Sequence, residues 1–130
     1  MRTFSLGAGA DVVKFTAATT GNENNITNFG TTDKLSFLKT AFGNISWQTS
    51  SGFTETFSSN NIETNKVYFG TAITDDALDG LATSGDVKAL AITQTGKIYY
   101  LVDDNSTGVT PTLVGSVNID TLKAGNIEFV

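Results

Sequence analysis

The chain has 130 residues, of which 39% are hydrophobic and 16% charged, with a formal net charge of −5 and neither cysteine nor histidine. That inventory excludes disulfides, zinc centres of the Cys/His type and catalysis by a Ser-His or Cys-His pair. The 8 basic residues are scattered and offer no basic face for nucleic acid, and no run approaches the roughly 18 apolar residues of a membrane span.

The length suits one domain, 1–130, that can bury a core. Abundant Thr, Ser, Asn and Gly point to a mainly β protein, the spacing of about ten residues between strand-like runs points to short stacked or sandwiched strands, and the β-roll-like start is an expectation from the nonapeptide pattern at Leu6–Lys14. Three stretches are expected: short strands over 1–42, an aromatic and polar middle with one short helix over 43–86, and C-terminal hairpins over 87–130.

The first candidate site is "LGAGADVVK", Leu6–Lys14. Parallel β-rolls bind calcium through the nonapeptide G-G-x-G-x-D-x-U-x, where U is a large apolar residue. Gly7, Gly9, Asp11 and Val13 occupy four of its five specified places, and Leu6 stands where the first glycine belongs. Glycines let such a turn curl its carbonyls inward, the aspartate adds a charged oxygen, and the apolar residue starts a strand. Hard oxygen ligands suit Ca²⁺. The alternative is a plain Gly-rich turn. A phosphate cradle is not supported, because there is no third glycine and no helix follows. Calcium takes about 6–8 oxygens, which β-roll turns supply in stacked pairs. The next carboxylate is Asp33, in "GTTDKLSF", where Gly30, Asp33 and Leu35 keep the residue types but not the nonapeptide spacing.

Strands are expected at Asp11–Thr16, Ile26–Phe29 and Lys34–Leu38 from period-two alternation, separated by Gly/Asn turns. In the middle, Phe42, Trp47, Phe53, Phe57 and Phe69 recur among Ser, Thr and Asn. They are expected to serve as core, with a sugar-binding face as the alternative. Ile73–Asp86 reads as a helix near residues 74–83. Thr74 or Asp75 can cap it, Leu78, Leu81 and Ala82 form its stripe, and Gly85 ends it. Its carboxylates Asp75, Asp76 and Asp79 are explained by capping and the helix dipole.

Val87–Val102 reads as a hairpin around "QTGK", with Leu90, Ile92, Ile98, Tyr100 and Val102 among the core candidates. "DDNSTG", Asp103–Gly108, resembles the start of a calcium loop, which makes Asp103 and Asn105 candidate ligands. The full loop needs a Glu at its twelfth position, where Val114 stands, so a hairpin turn is the alternative. Strands at Thr112–Asn118 and Asn126–Val130 end the chain. The first and last strands are expected to be unpaired edges, and edges invite chain-to-chain pairing.

Three blocks in order carry a resemblance: "SLGAGADVVKFT", "NNITNFGTTDKLSF" and "GKIYYLVDDNSTGVTPTLVGSVNIDTLKAGNIEFV". They resemble the C-terminal region of RTX-type proteins exported by type I secretion, a group that includes bacterial S-layer proteins. Gly30, Asp33, Lys34 and Leu35 match the group's first block. Tyr99, Tyr100, Asp103, Asp104 and Asn105 match its hairpin, and Leu122, Glu128 and Phe129 its final strand. The resemblance touches both ends of the chain and is thin over residues 43–86. It implies an extracellular, calcium-supported β protein whose uncleaved C-terminal segment carries the export signal. The group has many nonapeptides where this chain has one. The chain is therefore expected either to be the C-terminal piece of a longer protein or to complete its turn with another copy.

The function expected from residues and resemblance together is that of a secreted, calcium-binding structural protein. It would self-assemble as a homo-oligomer or polymer into a surface layer, filament or matrix at the cell surface. It is not expected to be an enzyme, to bind nucleic acid or to span a membrane. The alternatives are a module of an adhesin that binds a carbohydrate or cell-surface glycan, and a phage or virion structural protein.

Overall fold

The computed structural model describes residues 2–19, 21, 23–46, 53–54, 61–69, 73–78, 82–83, 86–104, 109–118 and 122–130. Among them are twelve short strands: β1 Arg2–Ser5, β2 Val12–Phe15, β3 Asn24–Thr27, β4 Lys34–Phe37, β5 Phe53–Thr54, β6 Asn61–Ile62, β7 Val67–Phe69, β8 Ala82–Thr83, β9 Asp86–Ile92, β10 Lys97–Asp104, β11 Thr110–Ser116 and β12 Ile127–Phe129. The protein is mainly β, as its composition and alternation imply.

The first four strands alternate between two sheets. β1 pairs with β3 in parallel, Arg2 beside Asn24, and β2 pairs with β4, Val12 beside Lys34. Both registers step by 22 residues, the separation of Asp11 from Asp33. Each step is one rung of a roll: a strand, a turn, and a strand in the opposite sheet. The third rung comes from the other end of the chain. β11 adds to β3 with Gly115 beside Asn24, and β12 adds to β4 with Ile127 beside Leu35. The segment between β4 and β11 extends one sheet sideways, giving a 7-stranded sheet in the order β1-β3-β11-β10-β9-β7-β5. The opposing sheet has 3 strands, β12-β4-β2, and β6 pairs with β8 in a 2-stranded ribbon.

Side-chain period accounts for the stacking. Val13, Leu35 and Ile127 stand in one file between the sheets, and Phe15, Phe37 and Phe129 in the next. The Phe15 and Phe37 rings stack with centroids 4.5 Å apart, and Phe37 and Phe129 stack at 5.4 Å. Ile26, Leu90, Ile92, Ile98, Tyr100 and Val114 meet them from the larger sheet. On that sheet's other face a second cluster gathers Tyr68, Ala89, Ala91 and Leu101 with Ile62, Ile73 and Leu78. A strand buried on both faces needs apolar residues at successive positions, which is why "KALAI" and "IYYLV" read almost continuously apolar.

The hairpin of β9 and β10 forms as expected and turns at Gly96, where φ is 81°. Leu90, Ile92, Ile98 and Tyr100 are core, and Val102 packs against them. The helix expected near residues 74–83 is smaller: a 3₁₀ turn spans Asp75–Leu78, and Ala82–Thr83 is β8. The Asp75 carboxylate accepts hydroxyls from Thr93 at 2.6 Å and Thr95 at 2.8 Å. Tertiary anchoring of this turn, with Leu78 fully buried, overrides its weak helical stripe. Trp47, Phe57, Asp79, Leu81 and Gly85 lie outside the described residues.

Two glycines are set by close approach. A Cβ on Gly115 would run into the Asn24 carbonyl and the Phe15 ring, where the third rung lies on the second. Gly43 has φ 66°, and a Cβ there would strike the Lys88 side chain and the Tyr100 hydroxyl. No helix among the described residues is long and apolar enough to cross a membrane.

Candidate functional site

The six-residue turn Leu6–Asp11 leads from β1 into β2, and Asn28–Asp33 leads from β3 into β4. The two turns lie on successive rungs, so Asp11 stacks on Asp33. Asp33 is 2% exposed. Its Oδ1 accepts the Asp11 amide at 2.8 Å, and its Oδ2 accepts the Gly30 amide at 2.8 Å. One bond closes the aspartate's own turn and the other ties it to the neighbouring rung. A carboxylate accepting two partly buried amides is among the stronger hydrogen-bonding arrangements available.

The third rung clamps the same turn from its other side. Asn126 donates through Nδ2 to the carbonyls of Thr31 at 3.0 Å and Asp33 at 2.9 Å. Its Oδ1 accepts the Lys123 amide at 2.8 Å. Asn118 exchanges two bonds with Phe29, accepting its amide at 2.9 Å and donating to its carbonyl at 3.0 Å. Asn24, 2% exposed, donates to the Lys14 carbonyl at 2.9 Å on the far side of the roll. Sequence reasoning passed over Asn118 and Asn126, since neither sits in a recognised motif. The usable signal was the shared 22-residue offset, which sets Phe4 on Ile26, Asp11 on Asp33, Val13 on Leu35 and Phe15 on Phe37.

Asp11 occupies the position of Asp33 on the first rung, where no further rung covers it. It is half-buried, and its Oδ2 is shielded from solvent without a hydrogen-bond partner. Gly7 and Gly9 are exposed in the same turn, with φ of 96° at Gly9, and the Gly9 carbonyl accepts the Thr32 hydroxyl at 3.3 Å. The turn therefore places one carboxylate, with an oxygen left unpaired, on the uncovered first rung. It can accept donors from another strand or place oxygens around a hard cation.

Asp103 does not join this group. It is 5% exposed near the end of β10, across from Val87. Lys97, at the other end of β10, is the residue beside Ser116 and hence on the rung side of the sheet. The intervening strand places Asp103 about 20 Å from Lys97, toward the end of β10 away from the rungs. Asn105 lies outside the described residues. Gly7, Gly9, Asp11 and Asp33 thus come together, and Asp103 lies apart.

The turn residues alone do not complete a calcium shell. Asp33 is engaged by two amides, which leaves Asp11 as the available carboxylate, whereas calcium takes about 6–8 oxygens. Among the described residues no group of three or more His, Cys, Asp or Glu side chains could hold a metal.

A second polar group surrounds Asp75. Burial works against its charge, but hydrogen bonds from Thr93, Thr95 and Tyr99 and the Lys97 ammonium outweigh that, so its pKa lies below the ordinary 3.8. Burial, with Asp75 beside it, pushes the Tyr99 phenol upward. This group pins the 3₁₀ turn to the hairpin.

Comparison with protein-family models, curated proteins and solved structures finds no match to this chain.

Proposed function

We propose that this chain is a secreted structural protein that self-assembles at the cell surface, into a layer, filament or matrix, without catalytic turnover. The observation that carries the proposal is the way the roll is built. Strands from opposite ends of the chain add as equivalent rungs, while the first rung keeps both of its strands open at the same end of the roll. A fold that extends by adding rungs and leaves β1, β2 and, on the third rung, β12 as sheet edges suits repetition between molecules. The extracellular placement rests on the resemblance to the type I-secreted group.

Calcium enters this proposal at Asp11. Its unpaired Oδ2 and the carbonyls around Gly7 and Gly9 would supply part of a shell, and a neighbouring molecule the remaining oxygens. Binding there would also offset part of the net charge of −5 and reduce repulsion between copies. The test is electron microscopy of the purified protein with Ca²⁺ and with a chelator. Ordered layers or filaments that loosen on chelation support the proposal. Dispersed particles under both conditions refute it.

A further inference from the structure

β1 is the edge strand of the larger sheet and β2 the edge strand of the smaller one, and both edges lie at the same end of the roll. In a parallel ladder, alternate residues turn their amide and carbonyl toward the one neighbour. The Arg2 and Leu6 amides donate to Glu23 and Thr27 on the β3 side, so Thr3 and Ser5 turn their backbone groups outward. On β2 the Asp11 and Phe15 carbonyls accept from Lys34 and Leu38, so Val12 and the Lys14 amide turn away from β4, while the Lys14 carbonyl already accepts one bond from the Asn24 side chain at 2.9 Å and keeps its second lone pair. Val12 is 51% exposed, although the neighbouring core residues Val13 and Phe15 are sealed. The open surface is therefore hydrogen-bonding backbone above a closed core.

The first rung folds back about the turn Leu6–Asp11, and Asn24, the neighbour of Arg2, reaches the Lys14 carbonyl, so the start of β1 is level with the end of β2 and the axis is placed at the middle residues Phe4 and Val13. A two-fold axis through those two residues would lay β1 against β1 of a second copy, and β2 against β2, both antiparallel. Thr3 then meets the second copy's Ser5, and Val12 meets its Lys14, in hydrogen-bonding register. The charges agree with this occupant. Arg2 and Asp11 belong to the same rung but lie at opposite ends of it. The two-fold brings each to the same end of the dimer as the other's counterpart, opposite in sign. The Asp11 carboxylate, on the position where Asp33 accepts an amide from the adjoining rung, then also faces a donor-bearing strand.

Resting on the self-assembly proposed above, we infer that the first rung is a two-fold interface. In it the β1 and β2 edges of two copies pair antiparallel, giving a closed dimer that leaves the β12 edge of the smaller sheet open on each copy for larger assemblies. Isologous two-fold contacts are the commonest way soluble proteins associate.

Amide hydrogen exchange on the wild-type protein at low and high concentration tests this without any substitution. The Thr3, Ser5 and Val12 amides should exchange at least about tenfold more slowly at high concentration. Thr3→Pro removes an outward amide at an edge, where proline is tolerated, and Val12→Lys places a charge on the other edge. Each variant, with an unchanged circular dichroism spectrum, should lose the dimer in sedimentation. Association that leaves those three amides unaffected, or that persists in both variants, overturns the two-fold interface while self-assembly stands. Absence of any association removes both proposals.

Discussion

Replacing Asp33 by alanine separates the two stacked aspartates by their energetics. Asp33 is 2% exposed, so solvent screening is slight, and its carboxylate accepts two amides at 2.8 Å. Hydrogen bonds to a charged group contribute about 1.5–3 kcal/mol each, and a donor left unsatisfied in a buried place costs a comparable amount. Both donors are partly buried and water can partly replace the lost acceptor, so the expected loss is about 3–4 kcal/mol. For a chain of this size that lowers Tm by roughly 10–15 °C. Asp33→Asn keeps one acceptor oxygen and should fall between wild type and alanine. Asp11→Ala removes a carboxylate that accepts no amide from the described residues, and should change stability by less than about 0.5 kcal/mol without calcium. Urea unfolding followed by tryptophan fluorescence gives all three values. Equal losses for Asp33→Ala and Asp11→Ala would refute the assignment of Asp33 as the acceptor that joins the first two rungs.

Further outcomes follow from other parts of the roll. Gly115→Ala should destabilise by about 3 kcal/mol or more in thermal unfolding, since the new methyl meets the Asn24 carbonyl and the Phe15 ring, whereas Gly7→Ala, with open space around it, should be near neutral. Phe37→Ala breaks the ring file between Phe15 and Phe129 and should cost about 3–5 kcal/mol in chemical denaturation. Asp75 has a folded pKa below 3.8, so its contribution is complete above about pH 5 and is lost as pH falls through the folded value; Asp75→Asn should flatten that acid limb of the stability curve. Titration calorimetry with Ca²⁺ should give heat with wild type and none with Asp11→Ala; no heat with either would remove calcium from the proposal.

Several strands were legible because local pattern and tertiary demand agree. β2 and β4 alternate over a buried face, and β9 and β10 carry apolar runs around a turn closed by Gly96. β1 was not legible as a strand. "RTFS" has one apolar residue, Phe4, and that is only half-buried, so alternation is too short to register. The parallel pairing was readable in principle from the 22-residue recurrence of Asp11 and Asp33, but the two turns share little else, and the nonapeptide pattern drew attention to Asp11 alone. The third rung had a fainter signal, the match of Ile127-Glu128-Phe129 to Leu35-Ser36-Phe37. Nothing local says that chain ends so far apart in sequence will adjoin. In the site, the carboxylates were found but not their unequal roles, which depend on which rung has a neighbour. The clamps Asn118 and Asn126 are visible only once the third rung is in place.

Light scattering of the wild-type protein over a wide concentration range, in Ca²⁺ and in chelator, tests self-assembly most directly. The mass should rise from that of the 13.7 kDa chain to twice that value and beyond as concentration increases, with chelation shifting the rise to higher concentration. A mass that stays at one chain throughout would contradict it.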